Sequence, residues 1–137
     1  MPENPPKADA QPVETILMVE DNAEVRAMGE TLLRDAGFDV HTASDAAEAL
    51  RMVEDGLAFD LLFTDIVMPG MMDGLGLAAE VARLRPETPV LLTTGWADRA
   101  RDHAEPGRDR DLIAKPYRQT DLVRKIRLLL ERGAGGA

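Results

Sequence analysis

The sequence predicts an α/β fold in which a five-stranded parallel sheet is doubly wound, with helices on both faces. Short apolar runs of strand length alternate along the chain with longer segments whose apolar residues recur at helical spacing. Three of the five runs are nearly continuous in apolar character, which is typical of strands buried on both faces. Because right-handed crossovers between parallel strands place helices on both sides of the sheet, this strict alternation predicts the doubly wound arrangement.

Five segments of the chain predict strands. The nearly continuous apolar runs are Thr15–Glu20, Asp60–Asp65 and Pro89–Thr94. Phe38–Ala43 alternates apolar and polar residues, as a more exposed strand does, and Asp111–Lys115 is a short fifth strand.

Four segments predict helices, and a fifth interval predicts a weak one. The first helix follows the capping residues Asp21-Asn22 and ends before Gly37, which suits a left-handed C-cap. The second runs from Ser44-Asp45 to about Gly56. The third covers about 74–85, where the prolines that follow forbid its continuation, and the last covers 120–131. The interval 97–110 predicts a short or mobile helix, because a Pro-Gly pair interrupts it.

Each predicted helix has an apolar face that we expect to turn toward the sheet. The expected inward residues are, in chain order, Val25, Met28, Leu32 and Ala36; Ala49, Leu50 and Val53; Leu77, Ala78, Val81 and Leu84; and Leu122, Val123, Ile126, Leu129 and Leu130.

The chain of 137 residues is the size of one ordinary domain. We expect residues 1–13 to be a disordered tail, since four of the nine prolines fall in the first twelve residues without apolar periodicity. Residues 133–137 contain only Gly and Ala and predict a flexible C-terminal tail. The folded domain is then 14–132, which leaves no space for an attached output domain.

Composition excludes several classes of function. Sixteen basic residues against 25 acidic ones give a net charge of -9, which argues against nucleic acid and anionic membranes as partners. Without cysteine there is no disulfide and no thiolate chemistry. The sequence shows no apolar run of membrane-spanning length and no signal peptide, so we expect a cytoplasmic protein.

The ends of the predicted strands carry the chemistry. In a doubly wound sheet the functional site lies at the carboxyl ends of the strands. Those ends bring together Glu20, Asp21, Asp65, Thr94 and Lys115. Clustered carboxylates raise one another's pKa or need a cation, and Mg²⁺ prefers carboxylates, water and phosphate oxygens. With a lysine and a hydroxyl beside them, these residues have the parts of a phosphoryl-transfer site.

Four motifs at these positions resemble response-regulator receiver domains of two-component signalling. They are Leu17–Asn22, Leu62–Gly74, Thr94-Gly95 and Lys115-Pro116, and they span almost the whole folded region. The resemblance implies a flavodoxin-like (β/α)5 fold with strand order 2-1-3-4-5.

The resemblance also implies a role for each site residue. Asp65 is the expected phosphoacceptor for a phosphoryl group from a histidine kinase or phosphotransfer protein. Asp21, Asp65 and the carbonyl of Val67 are the expected Mg²⁺ ligands, with Glu20 bound directly or through water. Lys115 and Thr94 are expected to meet the phosphoryl group, and the Lys115–Pro116 bond to be cis.

The chain departs from the family pattern at two aromatic positions. Leu112 stands where many receivers carry the Phe or Tyr that moves with the threonine. Trp96, two residues after Thr94, is the one tryptophan, and we expect it to replace that switch residue. A Thr-Gly-aromatic sequence is common among receivers of hybrid histidine kinases, so a receiver excised from such a kinase is the alternative interpretation.

We expect a signalling module and not an enzyme, acting as a monomer or weak homodimer on an output protein that the sequence does not identify. The rival from another class is a phosphohydrolase with an aspartate nucleophile. Such enzymes carry a second aspartate two residues later, where this chain has Val67. An FMN-binding flavodoxin fits less well, because the acidic loop 20–24 repels phosphate.

Overall fold

The computed structural model describes residues 13–95 and 111–135, with side chains to Arg132. Its strands are β1 (Thr15–Val19), β2 (Asp39–Ala43), β3 (Leu61–Asp65), β4 (Val90–Thr94) and β5 (Leu112–Ala114). Its helices are α1 (Ala23–Asp35), α2 (Ala46–Glu54), α3 (Gly74–Leu84) and α4 (Gln119–Gly135). The predictions for residues 1–12 and 97–110, and that for Trp96, lie outside the described residues.

The five strands form one parallel sheet in the order β2-β1-β3-β4-β5, which confirms the predicted fold. Val19 of β1 is level with Thr64 of β3, and Asp65 is level with Thr93 of β4. The strands therefore end close to the same level, and the residues that follow them meet at one edge of the sheet.

Alternating strand residues build a separate core on each face of the sheet. On one face, Met18 and Phe63 pack with Leu33 of α1 and Ile126 of α4. On the other face, the buried side chains of α2 and α3 pack on Leu17, Val19 and Leu62; those helix residues are Ala46, Ala49, Val53, Leu77 and Val81. No helix in the described residues is long and apolar enough to cross a membrane.

The helix boundaries follow from local capping. Asn22, Asp45 and Asp73 each accept a hydrogen bond from a backbone N–H of the first turn of α1, α2 and α3. Gly37 and Gly56 follow the first two helices with φ of 101° and 99°, a conformation that favours glycine. The last helix continues to Gly135, past the end predicted at Glu131.

The predicted inward face of α1 is wrong at Met28, whereas Val25, Leu32 and Ala36 are partly buried as predicted. Met28 is 59% exposed, whereas Gly29 and Leu33 are buried. A Cβ atom at Gly29 would collide with the Met18 methyl group and lie 2.9 Å from the Tyr117 hydroxyl, so the helix packs tightly on the core at the glycine. Leu84, also predicted inward, is exposed at the end of α3.

Candidate functional site

Three carboxylates meet at the carboxyl edge of the sheet. Glu20 and Asp21 follow β1, and Asp65 ends β3 on the neighbouring strand. One oxygen from each of the three lies within 4.8 Å of the others. Glu20 and Asp65 are almost completely buried, at 1% and 4% exposure, whereas Asp21 is exposed. The cluster is therefore open to solvent on the Asp21 side and closed beneath.

Lys115 supplies the positive charge of this cluster. It directly follows β5, and its ammonium donates to Asp65 Oδ2 at 2.9 Å and to Glu20 Oε1 at 3.0 Å. Its side chain is only 21% exposed, so both ion pairs are shielded from most of the solvent. Two buried carboxylates thus share one cation, and with Asp21 the cluster keeps an excess of negative charge.

Backbone and side-chain donors fix the two buried acids further. The Asn22 N–H donates to Glu20 Oε2 at 3.1 Å, and the Val67 N–H donates to the Asp65 carboxylate. Arg26 of α1 donates to the Glu20 carbonyl oxygen at 2.8 Å, which ties the start of α1 to the end of β1. Hydrogen bonds to both its side chain and its carbonyl oxygen therefore fix Glu20 in the turn that follows β1.

Burial dominates the acidity of the two carboxylates. Desolvation raises the pKa of Asp65, although the Lys115 ammonium opposes the shift and the charge of Asp21 adds to it. Desolvation likewise raises the pKa of Glu20, against the hydrogen bonds from Asn22 and Lys115. For Lys115 itself, burial favours the neutral amine, but the bonds to Asp65 and Glu20 raise its pKa overall. The lysine is thus a fixed cation at neutral pH.

The other predicted residues lie at or near the same edge. Thr94 ends β4 fully buried, and its hydroxyl has no hydrogen-bond partner in the described part of the chain. The Val67 side chain is half-exposed on the loop after Asp65. Leu112 begins β5 and is partly buried. The Lys115–Pro116 peptide bond is cis, the form that the resemblance implied.

Gly74 is a residue that sequence reasoning missed at the site. The first residue of α3, it donates its N–H to the Ile66 carbonyl at 2.7 Å. A Cβ atom there would collide with the Asp65 carbonyl oxygen. Glycine is thus required for α3 to begin against the backbone of the phosphoacceptor candidate. Only the position of Gly74 in the motif Leu62–Gly74 could have indicated this, because the sequence does not show how closely the start of α3 approaches the Asp65 backbone.

Tyr117 is a second residue near the site to which the sequence analysis gave no role. Its ring packs edge-on against Phe63, with 5.6 Å between centroids. Its hydroxyl is buried and has no hydrogen-bond partner among residues 13–95 and 111–135. A buried hydroxyl in that state costs about 1–3 kcal/mol. Burial first, and then the charges of Glu20 and Asp65, raise the pKa of Tyr117 to about 12.

The donor set fits Mg²⁺. All three candidate side-chain ligands offer carboxylate oxygens, which are hard donors, and their oxygens lie close enough together to share one ion. Histidine and cysteine, which softer metals prefer, are absent from the cluster. The exposed side at Asp21 leaves room for water and phosphate oxygens.

Comparison with known proteins agrees with this geometry. The family model for the response regulator receiver domain matches residues 16–127. The chain belongs to this receiver family. Such domains carry the phosphoacceptor site of two-component systems, interact with histidine kinases or phosphotransfer proteins, and bind Mg²⁺ at an acidic pocket.

The related proteins differ in total length. The receiver is 34% identical to the response regulator receiver protein CpdR of Brucella abortus, over 84% of this chain and 95% of that protein. It is 32% identical to a part of the sensor kinase CckA of the same organism, over 86% of this chain and 13% of the kinase. The receiver spans 48% or less of the first relatives that it matches.

The fold is also that of solved receiver structures. A CheY-like receiver domain protein from Methanospirillum hungatei superposes with a TM-score of 0.79 at 28% identity. The superposition covers 92% of this receiver and all of the other chain.

Proposed function

We propose that this receiver takes a phosphoryl group from a phosphohistidine onto Asp65 and acts in the cytoplasm. The observation that supports this most is the placement of the buried Asp65 carboxylate between the acidic turn at Asp21 and the Lys115 ammonium. The donor is a histidine kinase or a phosphotransfer protein, which matches the partners of the family. A net charge of -9 disfavours nucleic acid as a direct partner.

The transfer is a displacement at phosphorus. An Asp65 oxygen attacks, the phosphorus–nitrogen bond of the donor breaks, and its electron pair returns to the imidazole, which takes up a proton. The product is an acyl phosphate on Asp65. Lys115, already 2.9 Å from Asp65 Oδ2, favours the ionised carboxylate that attacks and then follows the phosphoryl oxygens. The buried Thr94 hydroxyl, which has no partner in the described residues, is available to donate to the same group.

Mg²⁺ would be held by Asp21, Asp65 and the Val67 carbonyl, with Glu20 bound directly or through water. When bound, it neutralises charge on the phosphoryl group and its ligands. Val67 lies two residues after Asp65, on the loop that follows β3. The excess negative charge of the cluster after pairing with Lys115 is what the ion would balance.

Phosphorylation would change the edge from Thr94 to Lys115, where an output protein binds. The phosphoryl group adds charge and three acceptor oxygens at the sheet edge where β4 ends. We propose that Trp96, outside the described residues, moves with Thr94 in place of the aromatic residue that Leu112 lacks. The receiver would act as a monomer or weak homodimer.

A phosphorylation assay separates this receiver from a phosphohydrolase. Incubated with Mg²⁺ and excess acetyl phosphate, the protein should gain the mass of one phosphoryl group and release inorganic phosphate only slowly. Continuous turnover would show the phosphohydrolase instead. Asp65→Asn is the matched control, since it removes the nucleophile but keeps the size of the side chain.

The phosphoryl group should be long-lived. In the receiver family, the residues two positions after the phosphoacceptor and two after the threonine flank the path of the hydrolytic water. In this sequence they are Val67 and Trp96, and neither can orient water as Asn or Glu does. We predict that Val67→Asn combined with Trp96→Glu speeds the loss of phosphate about tenfold or more, within the usual contribution of a positioned acid–base group. The decay of radiolabelled protein measures it. An unchanged decay rate would contradict this explanation of the lifetime.

The alternative origin is a hybrid histidine kinase. The match to a part of the sensor kinase CckA shows that similar receivers occur inside a longer kinase. A reading frame in which residues 1–12 continue from a kinase domain would establish this origin.

A further inference from the structure

The turn that follows β1 carries the exposed member of the three clustered acids. Asp21 lies between Glu20, which is buried, and Asn22, whose side chain caps α1. Hydrogen bonds fix both neighbours: the Glu20 N–H donates to the Ala43 carbonyl at 3.0 Å, and the Asn22 N–H donates to Glu20 Oε2 at 3.1 Å. None of these bonds involves the Asp21 carboxylate. Its position therefore depends on the backbone on either side.

Arg26 contacts this backbone on both sides of Asp21. Its guanidinium donates to the Glu20 carbonyl at 2.8 Å, and its own N–H donates to the Asn22 carbonyl at 2.8 Å. The second bond belongs to the first turn of α1 and could be made by almost any residue. The first bond needs a long side chain that reaches from the helix back to the end of β1. A single residue thus holds both ends of the turn 20–22.

The guanidinium holds the turn without neutralising the acids. In the described part of the chain, the ion pairs of Glu20 and Asp65 are with Lys115. Arg26 donates instead to a carbonyl oxygen, so the carboxylate oxygens of the cluster remain available to a cation. An arginine paired with one of these acids would compete with Mg²⁺ for it.

The position of Asp21 matters because Mg²⁺ requires near-ideal octahedral geometry with short metal–oxygen distances. Asp65 is the last residue of β3 and is bonded to Lys115, so a strand and an ion pair hold it. Asp21 lies outside the helices and strands of the described residues. Its contribution to the metal site therefore depends on the contacts that fix its turn, and the partly buried, charge-assisted bond from Arg26 is one of them.

We propose that Arg26 is a positioning residue for the metal site. Its bond to the Glu20 carbonyl holds the turn 20–22 so that Asp21 and Asp65 can bind one ion together. This inference rests on the proposed function, in which Asp21 and Asp65 are Mg²⁺ ligands. Arg26 acts through the backbone and touches neither the ion nor the phosphoryl group.

The test is the Mg²⁺ affinity of Arg26→Met, measured by calorimetry. If charge alone mattered, losing a cation beside the cluster would strengthen Mg²⁺ binding. Loss of positioning has the opposite sign, and we expect the affinity to fall about tenfold, as for other residues that orient metal ligands. Arg26→Lys keeps the charge but not the planar guanidinium, so its affinity should lie between those of wild type and Arg26→Met.

Arg34 provides a matched control on the same helix. Near the other end of α1, its guanidinium also donates to a strand carbonyl, that of Val40, at 2.7 Å in a partly buried position. Arg34 pairs with Glu30 and Asp39 as well, so Arg34→Met should lower the free energy of unfolding in EDTA at least as much as Arg26→Met. Its Mg²⁺ affinity should nevertheless stay within about twofold of wild type, because the lost contacts are far from the site.

Amide hydrogen exchange reports on the turn in the absence of metal. The Asn22 N–H, which donates to Glu20 Oε2, should exchange faster in metal-free Arg26→Met than in wild type. In Arg34→Met it should exchange at the wild-type rate.

The inference would be overturned if the Mg²⁺ affinity did not fall in the order wild type, Arg26→Lys, Arg26→Met. It would also be overturned if Arg34→Met lost as much affinity as Arg26→Met, or if the Asn22 amide exchanged equally fast in both methionine variants. Failure of wild type itself to bind Mg²⁺ would instead contradict the proposed function of Asp21 and Asp65. The two failures are therefore distinguishable.

Discussion

Carboxylates at two places in this receiver have pKa values shifted in opposite directions. Glu48, at the start of α2, accepts hydrogen bonds from the Ser44 N–H at 2.8 Å and the Ser44 hydroxyl at 2.9 Å, and these bonds lower its pKa. Asp65 and Glu20 also accept strong hydrogen bonds, from Lys115, yet their pKa values are raised.

The difference between the two places is burial. The hydrogen bonds of Glu48 form on the surface, where they fix the helix cap without removing the carboxylate from water. At the sheet edge, desolvation outweighs even an ammonium partner. One lysine does not neutralise this cluster of buried acids, so the cluster lowers the stability of the folded state. Such an uncompensated cluster is typical of a site that binds a cation and a phosphoryl group.

The largest effect is expected from removing the cation of the buried cluster. Lys115→Met should lower the free energy of unfolding by about 3 kcal/mol at neutral pH, because it leaves two buried carboxylates without their partner. Urea denaturation in EDTA measures this, and added Mg²⁺ should restore more stability to the variant than to wild type. Arg83→Met breaks the exposed pair with Glu80 and should change stability little. Equal effects of both substitutions would contradict the comparison.

Asp65→Asn should raise the free energy of unfolding, the opposite of the effect expected for Lys115→Met. The raised pKa of Asp65 means that the folded protein binds more protons than the unfolded chain, between the ordinary value of 3.8 and the raised one. Its contribution to stability is thus full below the ordinary pKa and is lost as pH rises through the folded pKa. The variant should be more stable than metal-free wild type at pH 7, with the gap closing toward pH 4. Thermal unfolding across this range would contradict the account if the gap widened on acidification.

Glu48→Gln should give the smallest effect and the opposite pH dependence. The lowered pKa of Glu48 gives stability that is present above the ordinary value of 4.5 and lost as pH falls through the folded value. The variant should lose about 0.5–1 kcal/mol at neutral pH, as for other capping contacts, and approach wild type in acid. Parallel pH profiles for Glu48→Gln and Asp65→Asn would remove the distinction between the two kinds of carboxylate.

Most of the fold and the cluster followed from the sequence because both depend on period and position. The apolar runs of strand length predicted the order of the elements. In a parallel sheet, the residues that end those runs, such as Asp65 and Lys115, lie at the same edge. The misses depend on contacts between distant segments. The burial of Gly29 in α1 depends on how closely this residue approaches Met18. The position of Tyr117 depends on its packing against Phe63. Neither contact has a local signal.

The most direct measurement is to map the phosphorylated residue after transfer from a phosphohistidine donor. Borohydride reduces an acyl phosphate of aspartate to homoserine, so peptide mass spectrometry locates the modified position. We expect homoserine at position 65 only when Mg²⁺ is present, and no modification in Asp65→Asn. Homoserine at another aspartate, or equal labelling of Asp65→Asn, would contradict the assignment of Asp65 as the phosphoacceptor.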